Sequence, residues 1–162
     1  MNTPPTDAQL RLIEQTYAAF KHAPRPRIDQ ITSHRCWECD GIRDEFAKYA
    51  ARDVPDALIH GESAATALMT PISIRYYLPR FIAFSILPSP RDSFAKDAVL
   101  YNLCPKKPHE TYFAERFAMF GASERSAIAN YLATRRTSED SDYHIEMIDT
   151  LGKIWGPGTP VV

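Results

Sequence analysis

The stretch His34-Arg-Cys36-Trp-Glu-Cys39-Asp holds the chain's densest set of groups able to do chemistry. Two thiols three positions apart, with an imidazole two positions ahead of the first, are the soft donors that tetrahedral zinc prefers. A fourth ligand would come from Cys104, His109 or His60. A typical structural zinc site brings a second paired motif, and the Cys104/His109 pair is a weak version of one. Two other readings compete. Free cysteines serve as small buried groups where a loop enters a helix. Thiols near a helix N-terminus also gain reactivity from a lowered pKa. The strand-then-helix context of thioredoxin-like motifs is missing, which counts against that redox reading.

Other polar groups are less distinctive. Glu38, Asp40, Asp44 and Glu45 crowd the same segment. Paired carboxylates can move protons or bind metal, but acids in a first helical turn also complement the helix dipole. His144 lies among Glu139, Asp140, Asp142, Glu146 and Asp149. Asp142, Glu146 and Asp149 together are the candidate surface for a basic protein partner, set against a plain solvated helix face. Tyr76, Tyr77 and Arg80 sit in an apolar segment and are candidates for lining a pocket. Arg75 and Arg80 either pair with buried acids or snorkel to the surface.

Several chemistries are disfavoured. There is no Gly-x-x-x-x-Gly-Lys loop, Gly-x-Gly-x-x-Gly, His-Glu-x-x-His or Gly-x-Ser-x-Gly. Six glycines leave little for phosphate-cradling loops, and 19 basic against 20 acidic residues give a net charge of -1. That balance offers no general attraction to nucleic acid or to an acidic membrane. With no catalytic constellation and no cofactor motif, a non-enzymatic role is expected. The N-terminus lacks a basic n-region and an apolar h-region, so a cytoplasmic protein with reduced thiols is expected.

The elements that position these groups read as helices. At 162 residues and 44% apolar composition the chain suits one domain with a core of its own. Thr6 with Gln9 forms a capping-box pattern opening a helix over about Asp7–Lys21, with Leu10, Ile13, Tyr17 and Phe20 as its stripe. Ala23-Pro-Arg-Pro ends it, and residues 25–33 read as irregular. A second helix is predicted over Cys39–Ala51, and a short third is capped by Asp53 and ends by Gly61. Thr70-Pro71 is a strong start signal. The segment after it is apolar nearly all round, as a buried helix is, and carries Pro79 inside. It is interrupted by Arg75, Pro79 and Arg80, so it does not read as membrane-spanning. Loops are expected around residues 87–91 and 104–109, with helices over Ser93–Leu103, Thr111–Phe120, Ser123–Arg136 (capped by Ser123) and Asp140–Trp155. Residues 1–6 and 156–162 read as loose tails. No hairpin signal is present. The fold class expected is an all-α bundle of six or seven helices around the central helix Thr70–Leu87.

Taken together, the His34-x-Cys36-x-Glu38-Cys39 motif and Leu68-Met-Thr-Pro-Ile-Ser-Ile-Arg-Tyr-Tyr-Leu-Pro79-Arg-Phe resemble a family of small bacterial proteins known only as a domain of unknown function. Ala127-Ile-Ala-Asn-Tyr-Leu132 and Trp155 extend the likeness over about Leu10 to Trp155. The resemblance implies a compact bacterial helical domain and carries no activity to any residue.

The function expected is therefore that of a bacterial binding protein whose partner is another protein, an immunity protein neutralising a toxin being one concrete form. The alternatives are a zinc-binding protein, structural or hydrolytic, built on Cys36 and Cys39, and a small-ligand-binding helical domain. No cofactor other than zinc is suggested.

Overall fold

A computed structural model describes residues 4–88, 94–104 and 110–156. Among them are nine α-helices and no strand: α1 (Asp7–Ala19), α2 (Trp37–Phe46), α3 (Asp56–Gly61), α4 (Ala65–Leu68), α5 (Pro71–Ile86), α6 (Phe94–Leu103), α7 (Glu110–Met119), α8 (Ala122–Ser138) and α9 (Asp142–Trp155). The all-α class and the central helix are as the sequence predicts. The expected loops through residues 89–93 and 105–109, and the tail beyond 156, lie outside the described residues.

The central position of α5 follows from its composition. Thr70 accepts the Ser73 N–H, Pro71 occupies the first turn, and 11 of the 16 residues are buried. A helix with no polar stripe can be satisfied only by neighbours on most sides. Helices α1, α3, α6 and α7 pack against it. Phe46, Tyr77 and Phe81 form an aromatic cluster on one side of it. On another side Trp155 meets Phe117 and Phe120, and its indole N–H donates to the Leu103 carbonyl at 3.0 Å. Helix α8 lies between α1 and α9.

Several boundaries differ from expectation, each for a local reason. The Thr6/Gln9 capping box forms, but Leu10 is 44% exposed and the buried face of α1 runs through Leu12, Ile13, Thr16 and Phe20. Thr16 enters the core by donating its hydroxyl to the Leu12 carbonyl, which satisfies it within the helix. Helix α2 begins at Trp37 because Cys36, an unexpected capping residue, accepts the Cys39 N–H through its sulfur. Asp53 does not cap α3; it closes a 3₁₀ turn over Ala51–Asp53, and Pro55 takes the cap position. Gly121, not Ser123, precedes α8, and the Glu124 carboxylate folds back to accept the Gly121 N–H at 2.7 Å. Ser141 caps α9. The short α4 carries no capping hydroxyl, so no local signal in the sequence marks it.

Candidate functional site

The segment before α2 is fixed at its base. Thr32 and Met69 form an isolated antiparallel bridge, the Ser33 N–H donates to the Leu68 carbonyl and the Thr70 N–H to that of Ile31. His34 leaves this anchored backbone. Cys36 then takes an extended conformation (φ −156°, ψ 165°), and its Sγ accepts the Cys39 N–H at 3.2 Å. One turn of helix therefore sets the two sulfurs on the same side of the α2 N-terminus. Cys39 Sγ lies 3.6 Å from His34 Nε2 and 3.7 Å from Nδ1. One donor atom from each of His34, Cys36 and Cys39 falls within 4.8 Å of the other two.

These separations suit a metal. Zinc bonds of about 2.3 Å to sulfur and about 2.0 Å to nitrogen, at a tetrahedral angle, place the two donors about 3.5 Å apart. The imidazole is also oriented from behind. Ser33 Oγ lies 3.3 Å from His34 Nδ1 and 3.4 Å from the Leu68 carbonyl. With the serine hydroxyl donating to that carbonyl, its oxygen can accept from Nδ1–H, which leaves Nε2 as the unprotonated nitrogen; Cys39 Sγ lies almost equally far from both nitrogens, so a metal at Nε2 requires the ring to turn toward it. Histidine ligands are commonly steered in this way. Burial, followed by the neighbouring Cys36 and the nearby Glu38 and Asp40 charges, pushes the Cys39 thiol up to about 11. In the metal-free protein it therefore keeps its proton.

The rest of the expected donor set is dispersed. Cys104 directly follows α6 and lines a separate cleft, His60 lies on α3 outside the cluster, and His109 lies outside the described residues. The acids of α2 are a solvated face: Arg43 bonds Asp40 and Asp44, and Lys48 pairs with Glu45. Trp37, between the two cysteines, is 88% exposed.

The residues suggested for a pocket hold the α2–α3 connection instead. The Tyr77 hydroxyl donates to the Phe46 carbonyl at 2.9 Å, and burial pushes its pKa up to about 12. The Tyr76 hydroxyl accepts the Ala51 N–H. Arg80 donates to the Val54 carbonyl and pairs with Asp56. Tyr77 is 1% exposed, and neither of the two described cavities is lined by any of the three. Arg75 pairs with the buried Glu124 at 2.9 Å rather than snorkelling.

Of the acidic residues on α9, Asp142 and Glu146 are exposed, and Asp149 pairs with Arg136 of α8 at 2.9 Å. His144 belongs to a cluster that the sequence did not reveal. Asp97, Glu139 and His144 also bring donor atoms within 4.8 Å of one another. Here Arg135 stands between the carboxylates, 3.0 Å from Asp97 and 2.8 Å from Glu139. Glu139 also accepts the Ser141 N–H, and Tyr101 reaches His144 Nε2 at 3.4 Å. The i, i+4 spacing of Arg135 and Glu139 was a readable signal. Asp97, 38 residues away from Arg135, gave none.

Among the described residues no helix is long and apolar enough to cross a membrane. No curated protein and no solved structure matches the chain. The chain belongs to a family described as Family of unknown function (DUF6714), matched over residues 9–159.

Proposed function

We propose that this family member is a zinc-binding protein in which His34 Nε2, Cys36 Sγ and Cys39 Sγ take the ion. The observation that carries this reading is the convergence of the three donors within 4.8 Å at the capped start of α2. Two thiolates neutralise the dication, and the Cys39 N–H already aimed at Cys36 Sγ would continue to stabilise that sulfur's charge. Three protein ligands leave a fourth position for water or for an outside group, the pattern of a zinc ion that binds or activates something rather than one that only braces a fold. His34 is exposed, so water can reach that position.

The test is metal analysis of protein purified without chelator, followed by cobalt substitution. The expected outcome is about one zinc per chain and, with cobalt, thiolate-to-metal absorption that disappears in Cys36→Ser and Cys39→Ser. Zinc content below about a tenth per chain that does not rise on adding zinc overturns the reading.

A second reading is a bacterial, cytoplasmic partner-binding protein of the immunity type. It is favoured by Asp142, Tyr143 and Glu146, all exposed on α9, with Tyr143 at 60% exposure. Replacing Asp142, Glu146 and Asp149 by Lys should abolish capture of a basic partner encoded beside this gene. Undiminished capture rejects that surface.

A further inference from the structure

We infer that Cys36 and Cys39 are also a redox modification site, a dithiol that closes to a disulfide by exchange with a small disulfide of the glutathione class. The closure stands on geometry alone. Its consequence, release of zinc, rests on the zinc reading above.

The fold supplies the context that the sequence lacks. Dithiols of this spacing work where a strand runs into a helix. The described residues hold no strand, but the Thr32–Met69 bridge and the hydrogen bonds on either side of it pin the segment just ahead of α2. The Asp40 N–H donates to the Cys36 carbonyl at 2.8 Å, so the helical turn opens at the first cysteine. Residues three apart on such a turn have Cα atoms about 5 Å apart, inside the range of about 4.4–6.8 Å that a disulfide bridges. The two sulfurs already lie within 4.8 Å of each other.

The two thiols are unequal. Cys36 is half-buried, and His34, Arg35 and Trp37 around it are exposed, so a reagent from solvent reaches it. The Cys39 N–H fixes where its sulfur sits. Cys39 is 0% exposed and closed to an outside reagent. Cys36 is therefore the attacking sulfur and Cys39 the resolving one, since access decides which thiol reacts first. Cys36 gives its proton to water, and its sulfur attacks one sulfur of the small disulfide. A mixed disulfide forms, the original S–S bond breaks, and one small thiolate leaves. The Cys39 thiol passes its proton to His34, whose Nε2 lies 3.6 Å away. The Cys39 sulfur then attacks Cys36 Sγ, the mixed disulfide breaks, and the second small thiolate leaves. The protein sulfurs lose two electrons, and the small disulfide gains them. Closure removes two of the three zinc ligands.

Cys104 lies apart, in the cleft where Arg116 donates to the Thr66 carbonyl at 2.8 Å and to Asn102 Oδ1 at 3.4 Å. Cys104→Ser therefore removes the third thiol without touching the pair. The experiment treats Cys104→Ser protein, as purified and after chelation, with oxidised glutathione and follows the intact mass. Both preparations should lose two hydrogens and retain no adduct, and any bound zinc should be released one for one with closure. With Cys39→Ser added, one glutathione should remain on Cys36. With Cys36→Ser added instead, adduct formation should be at least about tenfold slower than with Cys39→Ser, and in urea the two should react alike. Absence of the two-hydrogen loss overturns the inference. So does equal reactivity of the two variants in the folded protein. Zinc binding without closure would reject this inference alone, and closure in a chain that takes no zinc would reject the zinc reading alone.

Discussion

Two clusters in this molecule satisfy the same geometric condition and have opposite chemistry. His34, Cys36 and Cys39 bring three donors within 4.8 Å, and so do Asp97, Glu139 and His144. At the second the cation is built in, because Arg135 bonds both carboxylates. At the first the described hydrogen bonds bring no guanidinium or ammonium to the donors, only the Cys39 N–H and the Ser33 hydroxyl. The difference lies in what each donor needs in order to fold. Carboxylates taken partly out of water call for a counter-charge beside them. A thiol such as Cys39, its pKa pushed up to about 11 by burial, folds as a neutral group. Proximity of donors therefore does not by itself mark a metal site. A cluster able to wait uncharged is the better candidate.

The most forceful way to break this contrast is to add zinc. If the proposed site is real, zinc at about a thousandfold excess over its dissociation constant stabilises the fold by about 4 kcal/mol. Cys39→Ser should abolish that gain, and Asp97→Asn should leave it intact. A gain that survives Cys39→Ser would move the metal away from α2. Next in size is Arg135→Ala. It leaves Asp97 and Glu139 facing each other without a cation, at side-chain exposures of 29% and 9%. Breaking a fully buried pair costs about 3–5 kcal/mol, and partial exposure lowers the expected loss in denaturant melts to about 2–3 kcal/mol. Manganese added to Arg135→Ala should recover part of that loss, because the vacated position then has two carboxylates and an imidazole around it. A loss below about 0.5 kcal/mol would mean the network is solvated and the contrast false.

Tyr131 sharpens the comparison at high pH. It lies beside the Arg135 network, and its hydroxyl pairs with Ser85 at 2.8 Å. Burial pushes its pKa up to about 12 against the Arg135 charge, which pulls it down. A tyrosine whose pKa is higher in the folded state keeps its proton better there. Its contribution is complete below the unfolded value near 10 and disappears as pH rises through about 12. Tyr131→Phe should cost about 1 kcal/mol at neutral pH, chiefly by leaving the Ser85 hydroxyl without this partner. It should also flatten the fall in stability between those two pH values. An unchanged alkaline melt would place the titration elsewhere.

The sequence made the scaffold easier to read than the sites, and the reason is range. The Thr6/Gln9 box, the Thr70-Pro71 start and the apolar circumference of α5 are local patterns, each set by hydrogen bonds or burial within one or two turns. The Cys36/Cys39 pair was legible for the same reason: both sulfurs belong to one helical turn. His34 could be suggested because it is two residues away, but its orientation depends on Leu68, which no local pattern connects to it. Asp97 with Arg135, and Arg116 with Thr66 and Asn102, join separate helices, so their meeting depends on how those helices pack. Tyr76, Tyr77 and Arg80 misled for a related cause. Their polar ends imply a use, but the backbone groups they bond belong to residues 46–54, and only the packed structure shows that those are near.

The smallest effect expected is also the cleanest reporter. Trp37 stands between the two cysteines and is 88% exposed, whereas Trp155 is 2% exposed and buried against α7. Replacing so exposed a side chain should shift stability by no more than about 0.5 kcal/mol. Cobalt entering at His34, Cys36 and Cys39 would lie within one helical turn of the Trp37 indole and quench its emission, leaving the core tryptophan bright. Wild-type fluorescence should therefore fall partway on cobalt titration, and Trp37→Phe should remove the response without changing the amount of cobalt bound. The Asp97 cluster has no tryptophan among its described partners, so a metal binding there would leave the Trp37 emission largely undisturbed. Full binding with no quenching would place the ion away from α2, and the distinction between the two clusters would then fail.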